Sequence, residues 1–316
     1  MADYKAIKGH NIETVAGDPS VLQVGDIWYS NTTRKIRGAK LVAAWSSAAA
    51  TTSGRAGGAG GGTQTAAWIS GGNDDPQYYL TTELYDGTSW TEVNDPAENH
   101  PQAAGGGVQT AAWMVGGGGV SGEHFDGTDW SHAEDCNTGN AQRGSCGPQT
   151  AALMIGSEPV TVATESYDGT NWTEVGDYPV ALRGIEAVGT NTDALVFGGF
   201  STTYRSESFT WNGSSFTATP DMNTNASEMG KSGASSGAGM RIGGVTTSHA
   251  KTANVEIYDG SSWTEVANIP AATNQGEGAG TTSATIFNFG KIADNSYPTE
   301  CSEWNEAATA SSFTSS

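Results

Sequence analysis

Basic residues are scarce in this chain. Only 14 lysines and arginines stand against 34 aspartates and glutamates, a formal net charge of -20. Such a chain repels polyphosphate at ordinary salt, so nucleic acid is not an expected partner, and the acidity is read as serving solubility and resistance to self-association. Cysteine is nearly absent. Cys136, Cys146 and Cys301 make an odd count without metal-ligand spacing. Cys136 and Cys146 are near enough to meet across a loop, but nothing marks the chain for an oxidising compartment, so free thiols are expected. No hydrophobic run approaches the ~20 residues of a membrane span, and the opening MADYKAIKGHNIET lacks the apolar core of a signal peptide. Catalytic signatures are missing as well. The five histidines, His10, His100, His124, His132 and His249, include no i,i+4 pair and are read as surface polar residues. There is no P-loop or HExxH. No catalytic residue, metal or cofactor is therefore assigned.

What the chain does have is glycine, 44 residues, about twice the usual share, together with Ser, Thr, Asn and Gln. That mixture suits short strands joined by turns. Ten tryptophans argue for burial and order. The residues are organised in repeats. One motif reads GTQTAAWISGG from Gly62, GVQTAAWMVGG from Gly107 and GPQTAALMIGS from Gly147. Weaker copies are GTNTDALVFGG from Gly189, SGAGMRIGG ending at Gly244 and GTTSATIFNFG from Gly280. A second motif follows each copy: YDGTSW ending at Trp90, then units ending at Trp130, Trp172, Phe216 and Trp263, and a degraded WNEAATASSF ending at Phe313. A period of roughly 40–50 residues, six times over, is that of propeller blades.

Each repeat reads as four strands. The first is small and Gly-rich, as in RAGGAGGG from Arg55, and is expected nearest a central channel where Cβ atoms crowd. The second is the apolar run AAWIS. The third, TTELYD from Thr81, alternates with period two. Asp-Gly then predicts a type I′ hairpin into the fourth, SWTEV. Segments starting at Gly62, Gly107, Gly147, Gly189, Gly237 and Gly280 are expected in equivalent places. Trp90, Trp130, Trp172 and Trp263 are expected in matching, largely buried sites between sheets. Two segments compete to finish the last blade: ASSFTSS at the C-terminus, and LVAAWSS from Leu41, whose Trp45 precedes Arg55 much as Trp172 precedes Arg183.

An Arg opening the repeat (Arg55, Arg143, Arg183), Gly-Gly closing the second strand, Tyr-Asp on the third and Trp on the fourth resemble the kelch pattern over residues 55–316. The expected fold is all-β: a six-bladed kelch-like β-propeller at 41–316, preceded by a short segment at 1–40. Within that segment GDIWYSNTTRKIRG (25–38) predicts a small β-hairpin around Asn-Thr-Thr. This stretch resembles segments of bacteriophage tail-fibre and other virion proteins, and the repeats resemble kelch-like appendage proteins of marine phages. The resemblance implies a non-enzymatic virion protein, a tail or capsid appendage. It would be attached to other virion proteins through residues 1–40, with a host surface glycan or another virion protein on the propeller. Six of the basic residues, Lys5, Lys8, Arg34, Lys35, Arg37 and Lys40, lie in that segment. The alternatives are a carbohydrate-active or oxidative propeller enzyme and a cellular protein-interaction propeller.

Asp86, Asp126, Asp168 and Asp259 are read as turn residues, since sialidase Asp boxes have a different register. In a four-stranded blade the first-to-second and third-to-fourth turns share one face. Here they are uniform. The second-to-third loops and blade-to-blade connections share the other face and vary, as in NDDPQYY from Asn73, the loop at His249 and Lys251, and KIADNSYP from Lys291. Variable loops on a rigid scaffold carry specificity. The candidate ligand-binding residues are therefore Tyr78, Tyr79, Tyr204 and Tyr297 as sugar-stacking rings, with Asp74, Asp75, Arg205 and His249 beside them.

Overall fold

The computed structural model describes residues 12–23, 25–139 and 141–312. They form two compact units: one takes in the residues up to Ala44 together with those from Asn305, the other is Trp45–Trp304. The smaller unit therefore includes C-terminal residues as well as the N-terminal segment. In it Ile27–Ser30 pairs antiparallel with the strand Lys35–Ala48, Trp28 facing Arg37 and Tyr29 facing Ile36. This is the hairpin expected at 25–38. Glu13–Val15 adds to it in parallel, and Arg37 forms an ion pair with Asp18 at 2.8 Å.

In the larger unit each repeat folds into one sheet. The first is Ala59–Thr63, Ala66–Ser70, Thr82–Tyr85 and Trp90–Val93, antiparallel throughout, and four more four-stranded sheets follow it. The innermost strands are the Gly-rich ones: Ala59–Thr63, Ala104–Val108, Gly144–Cys146, Glu186–Thr190, Gly230–Ser235 and Glu277–Gly280. Each packs beside the next, and the last packs beside the first. A ring of backbone hydrogen bonds rims one mouth of the channel they enclose. The N–H groups of Gln102, Gln142, Gly184, Glu228 and Gln275 each donate to the carbonyl of the preceding ring member. Gly57 N–H donates to Gln275 to close the circle, with N···O of 2.7 to 3.0 Å. All six residues hold left-handed backbone, φ 53° to 62°. Four carry a Cβ there, at about 1–2 kcal/mol each, and closure of the ring by paired peptide groups offsets that strain.

The sixth sheet settles how the ring closes. Glu277–Gly280 and Ala284–Asn288 are followed by residues 301–304 of Cys301–Ser312 and, outermost, by residues 45–48 of Lys35–Ala48. Trp304 is thus the third-strand aromatic and Trp45 the fourth-strand one. Their centroids are 5.4 Å apart, like Tyr85–Trp90 at 5.1 Å and Tyr258–Trp263 at 5.3 Å. Of the two segments competing for this place, LVAAWSS fills it. Phe313 lies outside the described residues.

Several expectations at residue level are corrected. The fifth equivalent glycine is Gly233, not Gly237. Gly62 (φ 101°) and Gly233 (φ 145°) each press against the carbonyl opening the second strand, so that a Cβ would sit 2.2 Å from Ala66 O and 2.4 Å from Ala238 O; Gly237 meets no such contact. A bulge between Gly233 and Ser235 shifted the register. The Asp-Gly turns are not type I′, which needs positive φ at both residues. Gly87 is at 91° but Asp86 is not left-handed, and four residues separate the pair Tyr85–Trp90. Among the tryptophans, Trp172 and Trp263 are buried, but Trp90 and Trp130 are only half-buried. The fully buried ones are Trp68, Trp113, Trp211 and Trp304, because the middle of each sheet is covered from both sides while the outer strand meets solvent. Trp68 and Trp130 still meet edge-on between sheets at 5.9 Å.

The three repeat-opening arginines do not occupy one position. Arg55 stands seven residues before Gly62, Arg143 four before Gly147, and Arg183 six before Gly189. Arg55 and Arg143 nevertheless reach the same kind of partner, a buried third-strand glutamate: Glu83, and Glu165 at 2.9 Å. Arg241, on a second strand, reaches Glu256 at 3.6 Å. These carboxylates also accept the N–H groups of the incoming connection, Thr52 on Glu83 at 2.7 Å and Asn137 on Glu165 at 2.7 Å. In the second sheet His100 stands near Glu123 and bonds Gly116 O at 2.8 Å; it is buried, not a surface residue. Arg183 finds no such glutamate, since Phe209 holds that place in the fourth sheet, and it stays at the surface on Glu158.

Candidate functional site

The repeated motifs of the uniform face of the larger unit serve structure. Asp86 Oδ1 accepts the N–H groups of Thr88 and Ser89, both at 2.8 Å, and Asp126, Asp168 and Asp259 do the same in their own turns. Hydrogen bonds from Thr88 and Ser89 hold the exposed Asp86 carboxyl down at about 2. The Gln of the Gly-x-Gln-Thr motif is an inter-sheet staple. Gln109 Nε2 donates to Ala67 O and Tyr85 O of the previous sheet, both at 2.7 Å, and Gln149 repeats this on Ala112 O and Phe125 O. Both motifs therefore hold the scaffold together.

The variable loops gather the candidate residues into three clusters. Asp75 accepts from Tyr297 OH at 2.6 Å and from Lys291 Nζ at 2.9 Å, and the Tyr297 hydroxyl, then Lys291, hold its carboxyl below the usual range. Asp74 accepts from Tyr79 OH at 2.7 Å, and the Tyr79 ring covers the buried Arg55 at 5.4 Å. Tyr204 lies between Phe200, 4.9 Å away, and His249, 5.9 Å away. It is only 9% exposed, so it offers an edge and not an open stacking platform. Tyr78 is the open ring at 56%. Arg205 pairs with Glu207 at 3.2 Å. Between these clusters lies a groove of about 230 Å³ lined by Arg183, Tyr204, Glu228, His249, Lys251 and Lys291. The loops at Lys251 and Lys291 were legible as variable, but their shared groove with Arg183 was not.

The channel holds a second set of polar groups that sequence reasoning missed. Lys231 Nζ lies 3.2 Å from Glu186 Oε2 and donates to Ser145 O at 2.5 Å. Glu277 lines the same cavity of about 60 Å³. Burial pushes the Glu277 carboxyl up to about 8, with Lys231 opposing and Glu186 adding to the shift. A carboxyl raised in this way favours folding while neutral. Its contribution is complete below the ordinary value of 4.5 and is lost as pH rises through about 8. Glu277→Gln is therefore expected to leave the melting temperature at pH 4 unchanged and to raise it progressively between pH 5 and pH 8. A shift of equal size at every pH would show that the carboxyl titrates alike in the folded and unfolded chain and is not raised. The three cysteines are buried free thiols, and burial raises each, Cys136 to about 11. Among the described residues, no three of His, Cys, Asp and Glu gather as a metal site, and no helix is long and apolar enough to cross a membrane. His10 lies outside the described residues.

No protein-family model matches the chain, and no curated protein matches its sequence. A solved structure titled "Structure of YjhT" superposes on 83% of this chain and 99% of its own, with a TM-score of 0.67 and 11% identical residues. The fold is a β-propeller. At that identity the likeness carries the fold and nothing of the chemistry. The propeller places the groove and the hydrogen-bonded channel rim on the variable face, and the Asp-Gly turns on the opposite one.

Proposed function

We propose that this chain is a non-enzymatic appendage protein of a phage virion. Its propeller presents the variable loop face to a host surface glycan or another virion protein, and its N-terminal segment makes the attachment. The observation that carries the binding part is the inequality of the two faces. One repeats the same capped turn, while the other differs in every blade and collects the aromatic, acidic and basic candidates. The attachment part rests on the sequence pattern at 25–38, whose hairpin leaves Arg34 and Lys35 exposed, suited to an acidic partner. A chain beginning at Leu41 retains Trp45 and the sixth blade. Mass spectrometry of purified virions is expected to find the full chain and to miss this shortened one, although it folds. Normal incorporation of the shortened chain would refute the attachment role. One observation favours the enzyme reading: Glu277, with its raised carboxyl, stands beside Lys231 in the channel, the kind of perturbed pair that acid–base sites use. Turnover of a glycan abolished by Glu277→Gln would support it.

A further inference from the structure

We propose that the groove between Arg183, Lys251 and Lys291 binds a single acidic sugar unit, one ring bearing a carboxylate or a sulfate ester. This rests on the reading of the loop face as a binding surface and names what it binds. Beyond residue 40 the chain has eight basic side chains. Arg55, Arg143 and Arg241 are buried against glutamates, and Lys231 is held in the channel. Four remain at the surface, and three of these line this one groove; Arg205 alone lies elsewhere. In a chain of net charge -20, three cations on one groove are a marked concentration; two of them already pair with a carboxylate, Arg183 with Glu158 at 2.8 Å and Lys291 with Asp75 at 2.9 Å, and Lys251 does not.

The groups are also placed to receive a ligand. The carboxylates that pair with Arg183 and Lys291, Glu158 and Asp75, are themselves 51% and 63% exposed and do not line the groove. Lys251 makes no ion pair among the described residues. Its ammonium donates to Ile292 O at 2.6 Å and Asn295 Oδ1 at 2.9 Å, which leaves one N–H of three for an incoming oxyanion. Desolvation, then the charge of Lys291, makes that ammonium easier to deprotonate, a cost an anion would relieve. Glu228, steadied by Asn274 Nδ2 at 2.7 Å, supplies an acceptor for sugar hydroxyls. The edge of Tyr204 and the exposed His249 form an aromatic wall. A volume of about 230 Å³ is smaller than a drug-sized site and has room for one ring.

The test is calorimetric titration of the full chain with galacturonate oligomers, sulfated galactan oligomers, neutral galactan oligomers and inorganic sulfate. One or both acidic saccharides are expected to bind, and which one does identifies the anion. Raising salt should weaken that binding, and Lys251→Gln or Lys291→Gln should weaken it roughly tenfold, with thermal midpoints near the parent's. Three results would overturn the inference: equal affinity for neutral galactan, binding of inorganic sulfate as tight as of the saccharide, or affinity unchanged in both variants. Each leaves the appendage reading standing, since that is decided by virion incorporation. Binding of no saccharide at all would overturn the inference and also remove the glycan from the proposed function.

Discussion

A chain beginning at Ala49 is expected to unfold or aggregate under conditions where one beginning at Leu41 remains a folded propeller. The two differ by eight residues, 41–48, and four of them form the outer strand of the sixth blade within the propeller unit. Trp304 is fully buried in that blade, its Nε1–H on Thr282 O at 2.9 Å, with Trp45 over it. Trp45 in turn donates to Ala267 O of the fifth blade at 2.9 Å. Removing the strand uncovers Trp304 and Phe287 and exposes an unpaired third strand as an aggregation edge. Loss of one large aromatic contact costs about 3–5 kcal/mol. Loss of the strand's ladder adds to this, against a total stability on the order of 5–15 kcal/mol. Size-exclusion chromatography and thermal melting of the two chains check it. Equal melting would mean that the ring closes without Trp45.

Arg55→Met is expected to destabilise the propeller by about 3–5 kcal/mol, because it leaves the Glu83 carboxylate buried without its cation. Both side chains are fully buried, and Arg55 also donates to Thr81 O at 2.7 Å. Combining Arg55→Met with Glu83→Gln should recover a large part of the loss, since Gln removes the stranded charge yet still accepts from Thr52 N. Urea unfolding of the parent and the two variants gives the comparison. A double variant no better than the single would show that the cost lies in lost packing of the arginine.

These glutamates were within reach of sequence reading. TELY, GEHF, TESY and VEIY each place Glu two residues before the third-strand aromatic, a recurrence as regular as Asp-Gly. The arginines mislead because three different backbone positions reach the same carboxylate, so a guanidinium on a long stem hides the equivalence. His100 in the second blade hides it further. Loop position alone marks Tyr204 as a stacking ring, and its coverage by Phe200 and His249 depends on residues four before and 45 after it.

The sequence by itself determined the repeat, the four strands of the first five blades and the channel-facing place of the Gly-rich strands. It also determined which face would be uniform and which varied, and the hairpin near the N-terminus. These follow from short-range rules: period-two alternation, the steric freedom of glycine, and side-chain capping of a turn by the residue that opens it. The tertiary structure alone decided that Trp45 closes the sixth blade and that six left-handed residues join in a hydrogen-bonded rim around one channel mouth. It also decided that Lys231 meets Glu186 and Glu277, and that Arg183, Lys251 and Lys291 face one groove. Each of these joins residues from separate blades, and their distances are set by how a ring of twisted sheets closes on itself.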